Sequence, residues 1–170
     1  YSALACIAIQ SNQNDQHGGQ SIPNFDFAMA PGVRKTYIKK YRENIAKIID
    51  ILQDSEQGDQ LARAMMEEIK KETGLVPVMA DDNGYTEKEA EKLAVIVGQE
   101  NVLRAQSFAR KHADKEIRRA VYQAMEAFIH NLNTMNSRAG AQTPFSSINY
   151  GTDTSPEGRM VIKNVLLAQE

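Results

Sequence analysis

One short run, Thr143 to Tyr150, constrains this chain more than any other. It alternates weakly and carries Phe, Ile and Tyr, so it reads as the one convincing β-strand in a sequence otherwise patterned for helices. A single strand cannot make a sheet, because its backbone donors and acceptors need a neighbour. Two readings stay open on pattern alone. Either a helical domain carries one extended segment, or the strand hydrogen-bonds to chain outside these 170 residues. Polar loops flank the run: Ser137–Arg138–Ala139–Gly140–Ala141–Gln142 before it and Gly151–Thr152–Asp153–Thr154–Ser155 after it.

The surrounding pattern is helical. Ile117, Val121, Ala124, Met125, Phe128, Leu132 and Met135 recur at helical steps and predict an amphipathic helix from about Asp114 to Met135. Beyond the strand, Ser155 as cap and Pro156 at the first helical position start a last helix through Met160, Val161, Val165 and Leu166. Residues 1–16 predict a first buried helix, with Leu4, Ile7, Ala8 and Ser11 on one face and Ile9 on another, ending at Gly18–Gly19. "GGQSIPNFDFAMAPG" then predicts an irregular loop anchored by Ile22, Phe25, Phe27 and Met29. Pro31 suits the first turn of the next helix, which runs to about Gln53 with a basic early part. A polar break at 54–59 precedes a short helix, Leu61 to Thr73, closed by Gly74. Asn83–Gly84 predicts a turn, and Thr86 with Glu89 a capping box, before a helical stretch 87–113 that is one helix or two broken near Gly98.

The expected fold class is therefore mainly α with one or two short strands. The helix–strand–helix order at 115–169 also suits an α/β barrel, where functional loops follow strand ends. Along the chain, 1–53 reads as helix, loop and basic helix, 54–113 as a helical insertion, and 114–170 as helix, loop, strand and helix. The opening at Tyr1 inside a helix, and a final "VLLAQE" with no terminator, read as a piece of a longer polypeptide.

A net charge of −2 makes no global case for nucleic-acid or membrane binding. The apolar-leaning runs fall far short of the ~20 residues a membrane-spanning helix needs. Cys6 is the single cysteine, so no internal disulfide and no cysteine-rich metal site can form, and its apolar surroundings predict an inert buried thiol. His17, His112 and His130 lie apart, so no metal site is expected. P-loop, nucleophile-elbow and H-E-x-x-H patterns are absent.

Three features have both a plain and a ligand reading. Ser137 to Gln142 is either an ordinary helix-to-strand connection capped at Gly140, or a loop whose small residues let the backbone approach a ligand while Arg138 and Gln142 supply a forked donor and an amide. Gly151 to Ser155 offers helix N-terminal amides to an anion, but Asp153 and Glu157 oppose that, which favours capping. The basic face Arg34, Lys35, Lys39, Lys40 and Arg42 is either solvated or a phosphate contact.

Two blocks, "IQSNQNDQHGGQSIPNFDFAMAPGVRKTYIKKY" (Ile9 to Tyr41) and "NTMNSRAGAQTPFSSINYGTDTSPEGRMVIKNVLLAQE" (Asn133 to Glu170), resemble the anaerobic (class III) ribonucleoside-triphosphate reductase large chain in order and separation. The resemblance spans nearly the whole chain and is weakest at about 54–115. It implies a fragment of a ten-stranded α/β barrel of the glycyl-radical, ribonucleotide-reductase type, in a cytoplasmic homodimeric oxidoreductase. Such an enzyme reduces ribonucleoside triphosphates to deoxyribonucleoside triphosphates by glycyl and thiyl radical chemistry. Deoxynucleotides and ATP act as allosteric effectors, and an iron–sulfur S-adenosylmethionine activase installs the radical. Neither nucleic acid nor membrane is an implied partner.

Residue by residue, Ser137, Arg138, Ala139, Gly140 and Gln142 resemble the loop through which reductases report effector identity to substrate. The order Arg-small-Gly-Ala-x-Thr is similar to that of aerobic relatives. Lys39 falls where the family places a lysine that meets effector phosphates, and Gln16, Gly18 and Gly19 match its Q-x-G-G turn. The Arg-x-x-Gly-Tyr-type radical motif, the two substrate-face cysteines and the four-cysteine structural zinc site have no counterpart here, and Cys6 matches none of them. The chain alone is therefore expected to have no catalytic residue, no resident cofactor and no activity. The reading from another class is a non-catalytic helical interaction module, whose strand pairs with a partner's sheet edge.

Overall fold

The computed structural model describes residues 1–15, 18–80, 82–135 and 145–169. Six helices and one short sheet follow in the order α1 (Ser2–Asp15), β1 (Gln20–Ile22), α2 (Phe25–Gln53), α3 (Gly58–Thr73), α4 (Tyr85–Val97), α5 (Val102–Thr134), β2 (Ser146–Ile148) and α6 (Pro156–Gln169), with a 3-10 turn at Gln99–Asn101. The chain divides into two compact units, one of Tyr1–Val33 with Arg118–Glu170 and one of Arg34–Ile117.

In the first unit the strand at 143–150 is confirmed in its central residues, but it has a partner within the chain. β2 pairs in parallel with β1, in the register Gln20↔Ser146, Ser21↔Ser147, Ile22↔Ile148. One edge of β2 is thus met within the chain, so the strand is not single, and the irregular loop predicted for Gly18 to Gly32 is replaced by β1 and the start of α2. Three paired residues with one isoleucine give no period to read, and a parallel partner is distant in sequence by necessity.

α2 also starts earlier than Pro31 suggests, and Pro31 lies inside it. The Phe25 N–H donates to Asn149 O at 2.8 Å, and the Ala28 N–H to Asn24 O at 3.0 Å. Phe25 is fully buried and Met29 nearly so. Their burial stabilises by roughly 1.5–3 kcal/mol each, which offsets the ~3 kcal/mol cost of an interior proline. The Phe25 and Phe128 rings pack with centroids 4.9 Å apart.

α1 is not buried all round. Cys6 and Ile9 are buried, whereas Leu4 is 68% and Ile7 57% exposed, so the predicted inward face looks outward. Among the described residues, Cys6 and Ile9 are the buried apolar side chains of α1. The buried position of the thiol is borne out: Cys6 Sγ lies 3.8 Å from Phe128 O, and burial raises its pKa.

In the second unit the helices bury narrow stripes. α2 contributes Tyr37, Tyr41, Ile45 and Ile49 at four-residue steps, and α5 contributes Val102, Ala105, Ala109, Ala113 and Ile117. The small alanine side chains let a neighbouring helix lie close. α3 closes as predicted on Gly74, whose φ of 74° and N–H to Lys70 O at 2.9 Å end the helix. The 87–113 stretch is broken at Gly98, and α5 runs unbroken from Val102 to Thr134.

Thr86 and Glu89 are not a capping box. α4 begins at Tyr85, and its first amides are met by Asp82 and Asn83: Gly84 N–H and Thr86 N–H donate to Asp82 Oδ1, and Tyr85 N–H to Asn83 Oδ1. Glu89 instead turns into the core, because three donors wait for it there. Tyr41 Oη donates to its Oε2 at 2.7 Å, Gln106 Nε2 to the same oxygen at 3.1 Å, and Tyr85 Oη to Oε1 at 3.1 Å.

Candidate functional site

The first unit holds a cleft of about 470 Å³. The last turns of α5 supply Phe128, Ile129, Leu132 and Asn133, β2 supplies Ser146, Ser147 and Ile148, Tyr150 follows the strand, and α6 closes it with Ala168 and Gln169. Its lining mixes hydroxyl and amide groups with the apolar side chains of Phe128, Ile129, Leu132 and Ile148. Asn133 and Ser146 flank the segment 136–144 in sequence, and both line the cleft.

The segment Gly18–Asp26 runs beside 145–153 and holds it at successive points. Gly18 has φ +122°, a conformation that favours glycine. At Gly19 a Cβ would meet Phe145 Cδ1 at 2.8 Å, the ring of an exposed side chain that leads into β2. Gln20 N–H donates to Phe145 O at 2.9 Å, and past the sheet Asn149 N–H donates to Ile22 O at 3.0 Å.

Asp26 makes the last contact. It is fully buried in the first turn of α2, where the helix dipole favours negative charge. Its Oδ2 accepts from Gly151 N–H and Asp153 N–H, both at 2.9 Å, and its Oδ1 accepts from the Thr152 hydroxyl at 3.3 Å. Burial pushes this carboxyl up, but the donors from Asp153, Gly151, Phe27 and Thr152 outweigh it and hold the pKa below its ordinary value. The capping reading of the second loop is thereby supported. Two of its amides serve the chain's own carboxylate, Asp153 Oδ1 accepts from Ser155 N–H at 2.8 Å, and Ser155 Oγ caps α6 by accepting from Gly158 N–H at 3.1 Å. Nothing in the sequence marked Asp26. An aspartate following Asn-Phe in an expected loop has no periodicity to single it out.

The residues predicted for a site are distributed as follows. Gly19 sits beside Phe145, just before the cleft-lining strand, and Gly18 directly precedes it in the chain. Gln16, Ser137, Arg138, Ala139, Gly140 and Gln142 lie outside the described residues. Lys39 belongs to the second unit, on α2, with 65% of its side chain exposed and its Nζ 3.8 Å from Glu43 Oε1. An exposed i,i+4 pair of this kind contributes roughly 0.3–0.5 kcal/mol, so it holds the Lys39 ammonium only weakly.

Its basic neighbours are more firmly engaged. Lys40 lies 2.8 Å from Glu43 and 3.7 Å from Glu116, and Arg42 Nε 3.5 Å from Asp59. The Glu43 hydrogen bond raises the Lys40 pKa, and Lys40 in turn lowers that of Glu43. Among the described residues no cluster of His, Cys, Asp and Glu could hold a metal, and no helix is long and apolar enough to cross a membrane.

The pattern of one protein family, described as anaerobic ribonucleoside-triphosphate reductase, matches residues 1–170, the whole chain. No curated protein matches the chain.

Proposed function

The chain belongs to the anaerobic ribonucleoside-triphosphate reductase family, and from that premise we propose that it forms the nucleotide-reading part of the family's barrel. The observation that carries this reading is the cleft whose lining residues, Asn133 and Ser146, bracket the Ser137–Gln142 loop in sequence. The parallel β1–β2 pair supports a barrel wall.

On this reading Arg138 offers a planar fork of donors to phosphate or base, and Gln142 an amide that can both donate and accept. Ser137, Ala139 and Gly140 keep the loop backbone close to the nucleotide. Lys39 meets an effector phosphate as a point charge at a homodimer interface, and the Gly18–Gly19 turn sets where β2 begins. Effector identity then reaches substrate through the loop.

The parent enzyme's thiyl radical abstracts the 3′-hydrogen of the ribose, and reduction replaces the 2′-hydroxyl. This chain supplies neither the radical-bearing glycine motif nor an accessible cysteine, because Cys6 is buried with a raised pKa. One cysteine also cannot furnish a four-cysteine zinc site. The radical, the activase and the cysteines belong to the parent enzyme, and the 170 residues alone bind without reducing.

The test is Arg138→Ala in the parent enzyme, with product ratios measured for competing ribonucleotides under each deoxynucleotide effector. A loss of effector-dependent choice is expected. Unchanged ratios would overturn the assignment.

A further inference from the structure

The Asn83–Gly84 turn holds the parts of an intramolecular reaction in place. Asn-Gly occurs once in the chain, and Asn83 is exposed just before α4, within the second unit. The nucleophile is the Gly84 nitrogen, whose N–H donates to Asp82 Oδ1 at 3.2 Å. A carboxylate so placed can take that proton as a general base. The electrophile is the side-chain amide carbon of Asn83. Its Oδ1 accepts from Tyr85 N–H at 3.2 Å, a donor that stabilises the oxyanion formed on attack. Asn83 Nδ2 donates to Val76 O at 3.2 Å, so the amide is held at both ends. Gly84 has φ +87°, which favours glycine. Among the described residues a Cβ there would meet Leu75 Cδ1 alone, at 3.9 Å, so little shields the nitrogen.

We propose that Asn83 is a site of spontaneous deamidation, with Asp82 as the base and the Tyr85 amide as the oxyanion donor. The Gly84 nitrogen bonds to Asn83 Cγ, and its proton passes through Asp82 to the departing amide. The Cγ–Nδ2 bond breaks and ammonia leaves. Water then opens the cyclic imide, at Cγ to give an aspartate or at the main-chain carbonyl to give an isoaspartate. Water is the co-reactant, and nothing is oxidised or reduced. Either product removes the donor from Val76 O and sets a second carboxylate beside Asp82. The isoaspartate also adds a methylene to the main chain where Asp82 and Asn83 meet the first amides of α4. Tyr85 Oη donates to Glu89 at 3.1 Å, so a shift of this turn reaches a buried carboxyl. None of this depends on the nucleotide reading of the first unit.

The 170-residue chain is incubated at neutral pH, folded and in urea, and the products at each asparagine are separated by peptide mapping. Conversion at Asn83 is expected to run at least as fast in the folded chain as in urea, because folding aligns the base and the oxyanion donor. It outpaces conversion at Asn44, in α2, and at Asn101, in the 3-10 turn. Asp82→Ser keeps a hydroxyl that can accept an amide but is a poor base. It is expected to slow the folded rate roughly tenfold and to leave the rate in urea within about twofold of the parent. If Asp82→Ser does not fold, Asp82→Asn, which keeps the carbonyl acceptor, is read in its place from initial rates. Amide exchange at the start of α4 is expected to be faster in the aged chain than in the fresh one.

An absence of conversion at Asn83, or slower conversion in the folded chain than in urea, would overturn the proposal, since the fold would then protect the turn. Equal folded rates in the parent and the Asp82 variant would overturn the assignment of the base. Unchanged exchange in α4 after conversion would overturn the effect on the helix.

Discussion

Two buried carboxylates, Asp26 and Glu89, show how environment sets a residue's role. Each is 0% exposed and each accepts from several donors, yet their pKa values move in opposite directions. Backbone amides, held rigidly, prevail over burial at Asp26. At Glu89 burial prevails over the Tyr41, Gln106 and Tyr85 hydrogen bonds, and it also pushes the neighbouring Tyr37 up to about 12. A carboxyl whose folded pKa is raised binds more protons folded than unfolded. The stability it contributes is complete below the unfolded value of about 4.3 and is lost as pH rises through the folded one. Glu89→Gln keeps the shape without the titration. Urea unfolding of the 170-residue chain from pH 4 upward is therefore expected to show stability falling less steeply with pH in the variant than in the parent. Parallel slopes would show that Glu89 does not titrate in that window.

At the scale of elements, the junction between α2 and α3 depends on a close approach. Gly58 N–H donates to Asp50 Oδ1 at 2.6 Å, and a Cβ at this position would meet the Ala46 carbonyl oxygen, with the Asp50 carboxylate at 2.7 Å. A backbone oxygen cannot swing aside as a side-chain tip can. Gly58→Ala should therefore destabilise by roughly 1–3 kcal/mol, the range for overpacking, despite alanine's better helix propensity. A denaturation midpoint at or above the parent's would contradict this. The start of α2 teaches a related lesson. Proline's preference for a first helical turn is a local rule, whereas Phe25 and Asp26 are held in helix by residues 149–153, far along the chain.

At the scale of the whole molecule, α1 leaves Tyr1, Leu4 and Ile7 between 52% and 68% exposed on a helix whose other side is buried. Exposed apolar surface of this kind promotes association. The 170-residue chain is expected to self-associate at high concentration, and Leu4→Glu with Ile7→Glu to reduce the apparent mass in light scattering. A monomer at all concentrations in the parent chain would show that this face is tolerated in water.

The sequence by itself determined the mainly helical class, most of the stripes on α2 and α5, the Gly74 stop, the Ser155–Pro156 start, the buried Cys6 and the family. Each of these rests on local periodicity, on one residue's conformational limits, or on an ordered motif. Only the tertiary structure decided that β2 pairs with Gln20–Ile22, that Leu4 and Ile7 face outward, that Glu89 is a core acceptor rather than a cap, and that Asp26 holds the turn after Tyr150. Those outcomes depend on donors and surfaces brought together from distant parts of the chain. A hydrogen bond across more than a hundred residues leaves no period in the sequence by which it could be read.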